Sequence, residues 1–188
     1  MRTQSGLTNK RAFTLIELLI VVAIIAILAL IAVPNFLEAQ VRSKVSRTQA
    51  DMRSTAVAIE AYCVDHNVYP PYGNPLDFTA AGEPHHFVPI RLTTPVAYVT
   101  GLYNDVFPAL NLHPGVTIER FHPFHYLNDQ EEDVPVAAAK YEMVSGQRGS
   151  VVWMIRSHGP DVDCDEGDAA YDPTNGTISN GDIMRFGP

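Results

Sequence analysis

Asp161, Asp163, Asp165, Asp168 and Asp172 fall within one turn-rich stretch, "SHGPDVDCDEGDAAYDPTNGTISNGDI". Carboxylates at alternate positions are the hard oxygen ligands that Ca²⁺ takes from flexible loops. Asp161, Asp163 and Asp165 follow the start of an EF-hand loop, and Asp172 has the spacing of its last ligand. The glycine comes one place late, at Gly167, and a strand rather than a helix is expected before the loop, so a true EF-hand is excluded. From the residues alone two readings stand side by side: a calcium loop, and a solvated acidic turn in which Asp, Asn and Gly are ordinary.

A second carboxylate sits where none is expected. In "KRAFTLIELLIVVAIIAILALIAVPNFLEAQ" Glu17 precedes a run, Leu18 to Val33, without one polar side chain. An ionised acid at the centre of a membrane helix costs about 2.5–3.5 kcal/mol, so such a residue usually has a partner. Glu17 lies close enough to the polar leader to reach the headgroups. Alternatively, a cut between Ala12 and Phe13 would create an α-amine one helical turn away, which Glu17 could neutralise in its own or a neighbouring copy.

Other chemistry is thinly represented. "HPFH", His122 to His125, has a spacing that can chelate zinc, but Pro123 and the lack of nearby Cys or acidic ligands favour ordinary loop histidines over a site with His85, His86 and His113. Cys63 and Cys164 are the only cysteines; a disulfide and a buried free thiol at Cys63 explain them equally well. No nucleophile motif, phosphate loop or dinucleotide fingerprint is present, so an enzyme is not expected.

The elements around these residues are legible. Phe13 to Val33 as a helix rises about 32 Å, matching a bilayer core of about 30 Å. Met1 to Ala12 carries Arg2, Lys10 and Arg11 and no acid, which by the positive-inside rule keeps that end cytoplasmic and places the rest outside the inner membrane. A cleaved secretory signal would have a shorter apolar core ending in small residues, unlike Val33-Pro34-Asn35-Phe36. Beyond Pro34 the apolar residues become periodic: Val41, Val45, Thr48, Met52, Ala56, Ile59 and Cys63, with charges between them. That pattern predicts one helix from about Phe13 to about Asp65, kinked or unwound at Pro34 and stopped by Pro70, Pro71, Gly73 and Pro75.

Residues from about Tyr69 to Asp133 read as irregular connections with a short helix or two. "KYEMVS" and "SVVWMIRSHG", separated by the turn-like "GQRG", read as strands, and "GDIMRFG" as a third. The fold class is therefore α+β, a long helix packed by its striped half on about three antiparallel strands. The formal net charge is −8 over 188 residues; without the leader it is −11, ten basic residues against 21 acidic. That balance does not suggest nucleic acid as a partner, which would need clustered Lys and Arg.

The stretch from Lys10 to Phe36 resembles the amino-terminal signature of the type IV pilin family, which includes the pseudopilins of type II secretion. The resemblance covers about the first fifty residues. It implies a basic leader, residues 1–12, removed by a prepilin peptidase at the Ala12–Phe13 junction; a methylated Phe13; Glu17 as the assembly carboxylate; and Pro34 as a helix break. Residues 13–34 would then form the single-pass membrane and filament-core helix, and 35–188 a periplasmic or extracellular head. The family normally has Gly before the cut. Ala12 is the smallest departure available and implies slower cleavage.

"WMIRSHGPDVD" is also similar to the end of the major pseudopilin, whose acidic loop binds calcium. That resemblance makes Asp161, Asp163, Asp165 and Asp168, and less directly Asp172, the ligands of a Ca²⁺ ion. What the family implies is a helical homopolymer, raised by an inner-membrane assembly platform: a type II secretion pseudopilin supporting export of folded proteins, or, as the alternative, a surface fibre for adhesion, motility or DNA uptake. Ala23, Ala26, Ala29 and Ala32 would let such helices pack closely once they leave the lipid.

Overall fold

The computed structural model describes residues 13–71, 73, 87–107, 123–128, 151–162, 170–172, 174 and 181–188. A single helix, α1, runs from Leu15 to His66. Thr14 precedes its first turn, and Asn67 follows its last with φ 56°, donating its backbone N–H to the Cys63 carbonyl at 2.8 Å. Asn tolerates the left-handed conformation that closes a helix end, and Pro70 and Pro71 prevent its renewal.

Pro34 lies inside α1 and does not break it. A proline removes one backbone donor from the helix interior. The Leu, Ile and Ala residues before it and "NFLEAQ" after it are good enough helix formers to carry the assignment through. The expected extent of the helix is met, and the helix continues through Pro34 without unwinding.

The chain divides into two compact units at Ala39/Gln40. In the first, the large apolar side chains from Leu15 to Leu37 are all exposed, from 47 % at Val21 to 86 % at Leu15. It is the one helical stretch long and apolar enough to cross a membrane among the described residues.

The second unit has an interior. Val45, Thr48, Met52, Thr55, Ala56, Ala58, Ile59 and Tyr62 of α1 are buried there. The stripe expected from the sequence is present, broadened by Thr55, Ala58 and Tyr62, while Val41 packs at its edge and Cys63 is a half-buried thiol. The helix face meets an antiparallel sheet of three strands in the order β1 (His125–Asn128), β2 (Trp153–Ser157), β3 (Ile183–Gly187). Tyr126, Trp153, Ile155 and Ile183 point into the core with Val88, Leu92, Phe107 and Phe124. Every residue of β2 is buried, as befits a central strand.

Two of the expected strands, "SVVWMIRSHG" and "GDIMRFG", contain β2 and β3. The third strand of the sheet is β1, in a region read as irregular. "KYEMVS" and the turn "GQRG" lie outside the described residues. Between helix and sheet runs a 3-10 turn, Ile90–Leu92.

One polar knot ties helix to sheet. The Glu60 carboxylate accepts from Trp153 Nε1 at 2.6 Å and from the Tyr69 hydroxyl at 3.5 Å. Burial, and secondarily the Glu60 charge, push the Tyr69 phenol up to about 12, so it remains a donor. Gly187 is paired with Trp153 across β2 and β3, and a Cβ there would collide with the indole ring.

Candidate functional site

The start of α1 is a capping box. Thr14 is the residue before the first helical turn, and Glu17 is its third member. The Glu17 Oε2 atom accepts from the Thr14 backbone N–H at 2.9 Å and from the Thr14 hydroxyl at 2.7 Å; the Thr14 Oγ1 atom in turn accepts from the Glu17 backbone N–H at 3.3 Å. Reciprocal bonds of this kind satisfy amide donors that a helix start leaves orphaned. They also hold the carboxylate at the positive end of the helix macrodipole. Phe13 is 75 % exposed and directly precedes Thr14. The structure thus puts Glu17 in a fixed orientation one turn from Phe13. Ala12 lies outside the described residues.

The second site is the mouth of the acidic loop. β2 ends at Ser157, and the chain turns through Gly159 at φ 73°, a conformation that suits glycine; a Cβ there would also press on the Gly181 carbonyl. Asp161 Oδ2 then accepts from the Gly181 backbone N–H at 2.8 Å. On the returning side Ala170 bridges Asp182, and the Tyr171 N–H donates to the Asp182 carbonyl at 2.9 Å. The two ends of the loop are therefore fastened to adjacent residues, one to Gly181 and the other to Asp182. Asp161 Oδ1 is buried and, among the described residues, has no hydrogen-bond partner.

Asp172 is exposed and caps its own turn, accepting from Thr174 N at 2.8 Å and Thr174 Oγ1 at 2.7 Å. These bonds hold its carboxyl below the ordinary range. Asp163, Asp165 and Asp168 lie outside the described residues, and so does Cys164. Among the described residues no group of three or more His, Cys, Asp or Glu side chains could hold a metal ion. Of the five expected ligands, Asp161 has the orphaned buried oxygen that would suit a hard cation, while Asp172 is engaged in its turn.

Close to Ser157 and Asp182 lie buried charges that the sequence does not reveal. Arg156 Nη1 and Asp182 Oδ2 are 3.3 Å apart, with side chains 9 % and 0 % exposed. Asp105 accepts from the Ser157 hydroxyl at 2.7 Å and the Phe107 N–H at 2.9 Å. Burial nevertheless pushes its carboxyl up to about 6, against the lowering effect of those bonds. His125, expected as an ordinary loop histidine, meets His158 with Nε2 atoms 3.2 Å apart. In such a contact one ring donates and the other accepts. The spacing Thr-x-x-Glu at Thr14 to Glu17 was the one signal in the sequence that could have disclosed the cap; the buried pairs join residues 26 to 52 positions apart and leave no local trace.

Comparison with known proteins agrees with this geometry. Residues 7–33 match the model of the prokaryotic N-terminal methylation motif. The chain is 35 % identical over 120 residues to the type IV major pilin protein PilA of Myxococcus xanthus, covering 57 % of this chain and 54 % of that one. It is 46 % identical over 61 residues to the type IV wide pilus major component PilA4 of Thermus thermophilus, 32 % and 47 % of the two chains. Over 69 residues it is 38 % identical to the type II secretion system core protein G of Pseudomonas aeruginosa, 37 % and 44 % of the two. The chain spans about half the length of the curated relatives it matches. No solved structure matches it. A methylation motif opening a long exposed apolar helix, whose second half packs on a three-stranded sheet, defines a pilin-like subunit. In its amino-terminal part the chain is similar both to type IV pilins and to a type II secretion core protein.

Proposed function

We propose that this chain is the structural subunit of a helical filament of the type II secretion kind, a pseudopilin that supports export of folded proteins. The observation that carries the filament reading is the pairing of an apolar helix exposed along Leu15–Leu37 with a carboxylate fixed at its start. Such a helix needs lipid before assembly and other copies of itself afterwards. Removal of residues 1–12 by a prepilin peptidase would leave an amine at Phe13. Glu17, already oriented by Thr14, would then meet the amine of its own or a neighbouring copy, and a subunit seated one step out of register would bury an unpaired charge.

Repeated head-to-tail, one contact of this kind gives an open helix rather than a closed ring. The helix would be drawn from the inner membrane by an assembly platform, with the unit from Gln40 onward on the periplasmic side. The role is structural, and no step in it requires a catalytic residue.

The secretion reading rests on the likeness to core protein G and on the acidic loop. We assign Ca²⁺ to that loop, with Asp161 supplying its free oxygen and Asp163, Asp165, Asp168 and Asp172 as the further candidates. So many like charges in one loop repel each other without a cation. Calcium is expected to raise the thermal midpoint of the protein, and Asp161→Asn to remove most of that rise; a midpoint indifferent to calcium rules the ion out. The longer match, to the Myxococcus xanthus pilin, favours a second reading as a surface fibre. Deleting the gene in its host separates them: lost exported proteins with surface fibres intact support secretion, and lost fibres with secretion intact support a surface pilin.

A further inference from the structure

Charge is unevenly spread along the part of the chain that follows the apolar helix. Between Arg42 and Arg53 stand four basic residues and one acid, Asp51; from Ser54 to Pro188 there are six basic residues and 18 acids. Arg47 is paired with Asp51 at 3.6 Å, and Arg42 is engaged as well. Among the described residues Arg53 has no ion-pair partner. It lines a cleft of about 200 Å³ with Gln49 and Met52 of α1 and Ile183, Met184 and Arg185 of β3.

Arg185 stands on the helix-facing side of the sheet, in register with Ile155, but on an edge strand where its side chain is exposed. Two guanidinium groups thus open on one cleft, and among the described residues neither has a hydrogen bond or an ion pair. Among the described residues the cleft presents two cations and no anion, in a chain with 21 acids and 13 Lys and Arg residues, so its charge is complementary to a carboxylate. Guanidinium forks match a carboxylate in both shape and charge, and the cleft is roomy enough for one acidic side chain.

We infer that the Arg53–Arg185 cleft is a docking site for a carboxylate of a second copy of this chain. This rests on the filament reading above. The commonest anion that an assembling subunit meets is the acidic surface of its neighbour, since everything beyond Arg53 is strongly negative. A cationic cleft on one face and carboxylates on others make a heterologous contact, which propagates instead of closing. Exposed ion pairs add little affinity one at a time, but a wrong sign at this position opposes every step of growth, so the cleft acts chiefly on register and on assembly rate.

The test uses the full-length protein, extracted from membranes after processing and assembled in vitro. Arg53→Glu and Arg185→Glu, singly and together, are compared with the Lys replacements by sedimentation. The double Glu variant is expected to lose about tenfold of its pelletable filament, the double Lys variant to keep most of it, and both to unfold at the parent temperature, because the two side chains are exposed. A photo-crosslinking phenylalanine analogue at position 49 is expected to join two copies in the filament, through a peptide bearing Asp or Glu.

Double Glu variants that assemble as well as the parent overturn the inference. So does a filament in which position 49 crosslinks to no second copy. If inorganic phosphate raises the thermal midpoint only when both arginines are present while the Glu variants assemble normally, the cleft serves a free anion and the second copy is ruled out. An unaltered protein that forms no filament at all overturns the filament reading itself, and this inference with it.

Discussion

The unit ending at Ala39 and the unit beginning at Gln40 use apolar residues in opposite ways. The first has no polar side chain from Leu18 to Val33 and buries none of that run; Leu15, Leu30 and Phe13 are 86 %, 76 % and 75 % exposed. The second is rich in prolines and acids, yet it buries Met52, Ile59, Tyr126 and Ile155 to 1 % or less. Burial on folding stabilises the second directly. The first can gain that stabilisation only from lipid or from other copies. Apolar content therefore does not decide where a core lies; what matters is whether the same chain supplies a second face to cover the first.

The two units also treat charge differently. Glu17, in the first, makes its hydrogen bonds within three residues and lies exposed. Asp182, in the second, is fully buried against an arginine 26 positions away. One carboxylate is satisfied locally and stays accessible to solvent; the other is consumed by the fold.

Substitutions at these carboxylates separate the two roles. Glu17→Ala is expected to abolish or scramble filament formation, the largest effect of the set, while the thermal unfolding of the unit from Gln40 onward stays at the parent value. Sedimentation and circular dichroism on one sample check both. A parallel loss of folding would mean that the two units do not divide the labour as described. Asp182→Ala should do the reverse, destabilising the protein by about 3–5 kcal/mol, because Arg156 keeps a buried charge without its partner. Denaturant titration measures it.

Trp153→Phe keeps the ring packing but deprives Glu60 of the shorter of its two hydrogen bonds. An expected cost of about 1.5–3 kcal/mol follows, as for other hydrogen bonds to a charged group. An effect of similar size is in pH. Asp105 holds its proton up to about 6, above the ordinary 3.8, so the native state binds that proton more tightly than the unfolded chain does. Its contribution is complete below about pH 4 and is lost as pH rises through about 6, on the order of 2–3 kcal/mol. Unfolding free energies of the parent and Asp105→Asn between pH 4 and 7 should diverge by that slope; parallel curves would place the titration elsewhere.

How much of this could be read in advance follows the range of each interaction. α1 is written in long-period patterns, so its limits, expected near Phe13 and Asp65, fall within two residues of Leu15 and His66. The proline inside it does not end it, because the helix formers on either side carry the helix through Pro34. β1 is only four residues, His125–Asn128, preceded by Pro123 and carrying a buried asparagine, too short for alternation to register. The Arg156–Asp182, Ser157–Asp105 and His125–His158 contacts depend on strand pairing, and no spacing in the sequence announces them. The cap at Thr14 was readable but stands in the shadow of the apolar run that follows.

The most direct test is a helical reconstruction by electron cryomicroscopy of filaments formed by the processed protein. It should show Leu15–Leu37 of every copy in the filament interior, with the Glu17 carboxylate within salt-bridge reach of an amine at Phe13. Filaments whose apolar helices lie on the outer surface, or in which no amine stands opposite Glu17, would contradict the account.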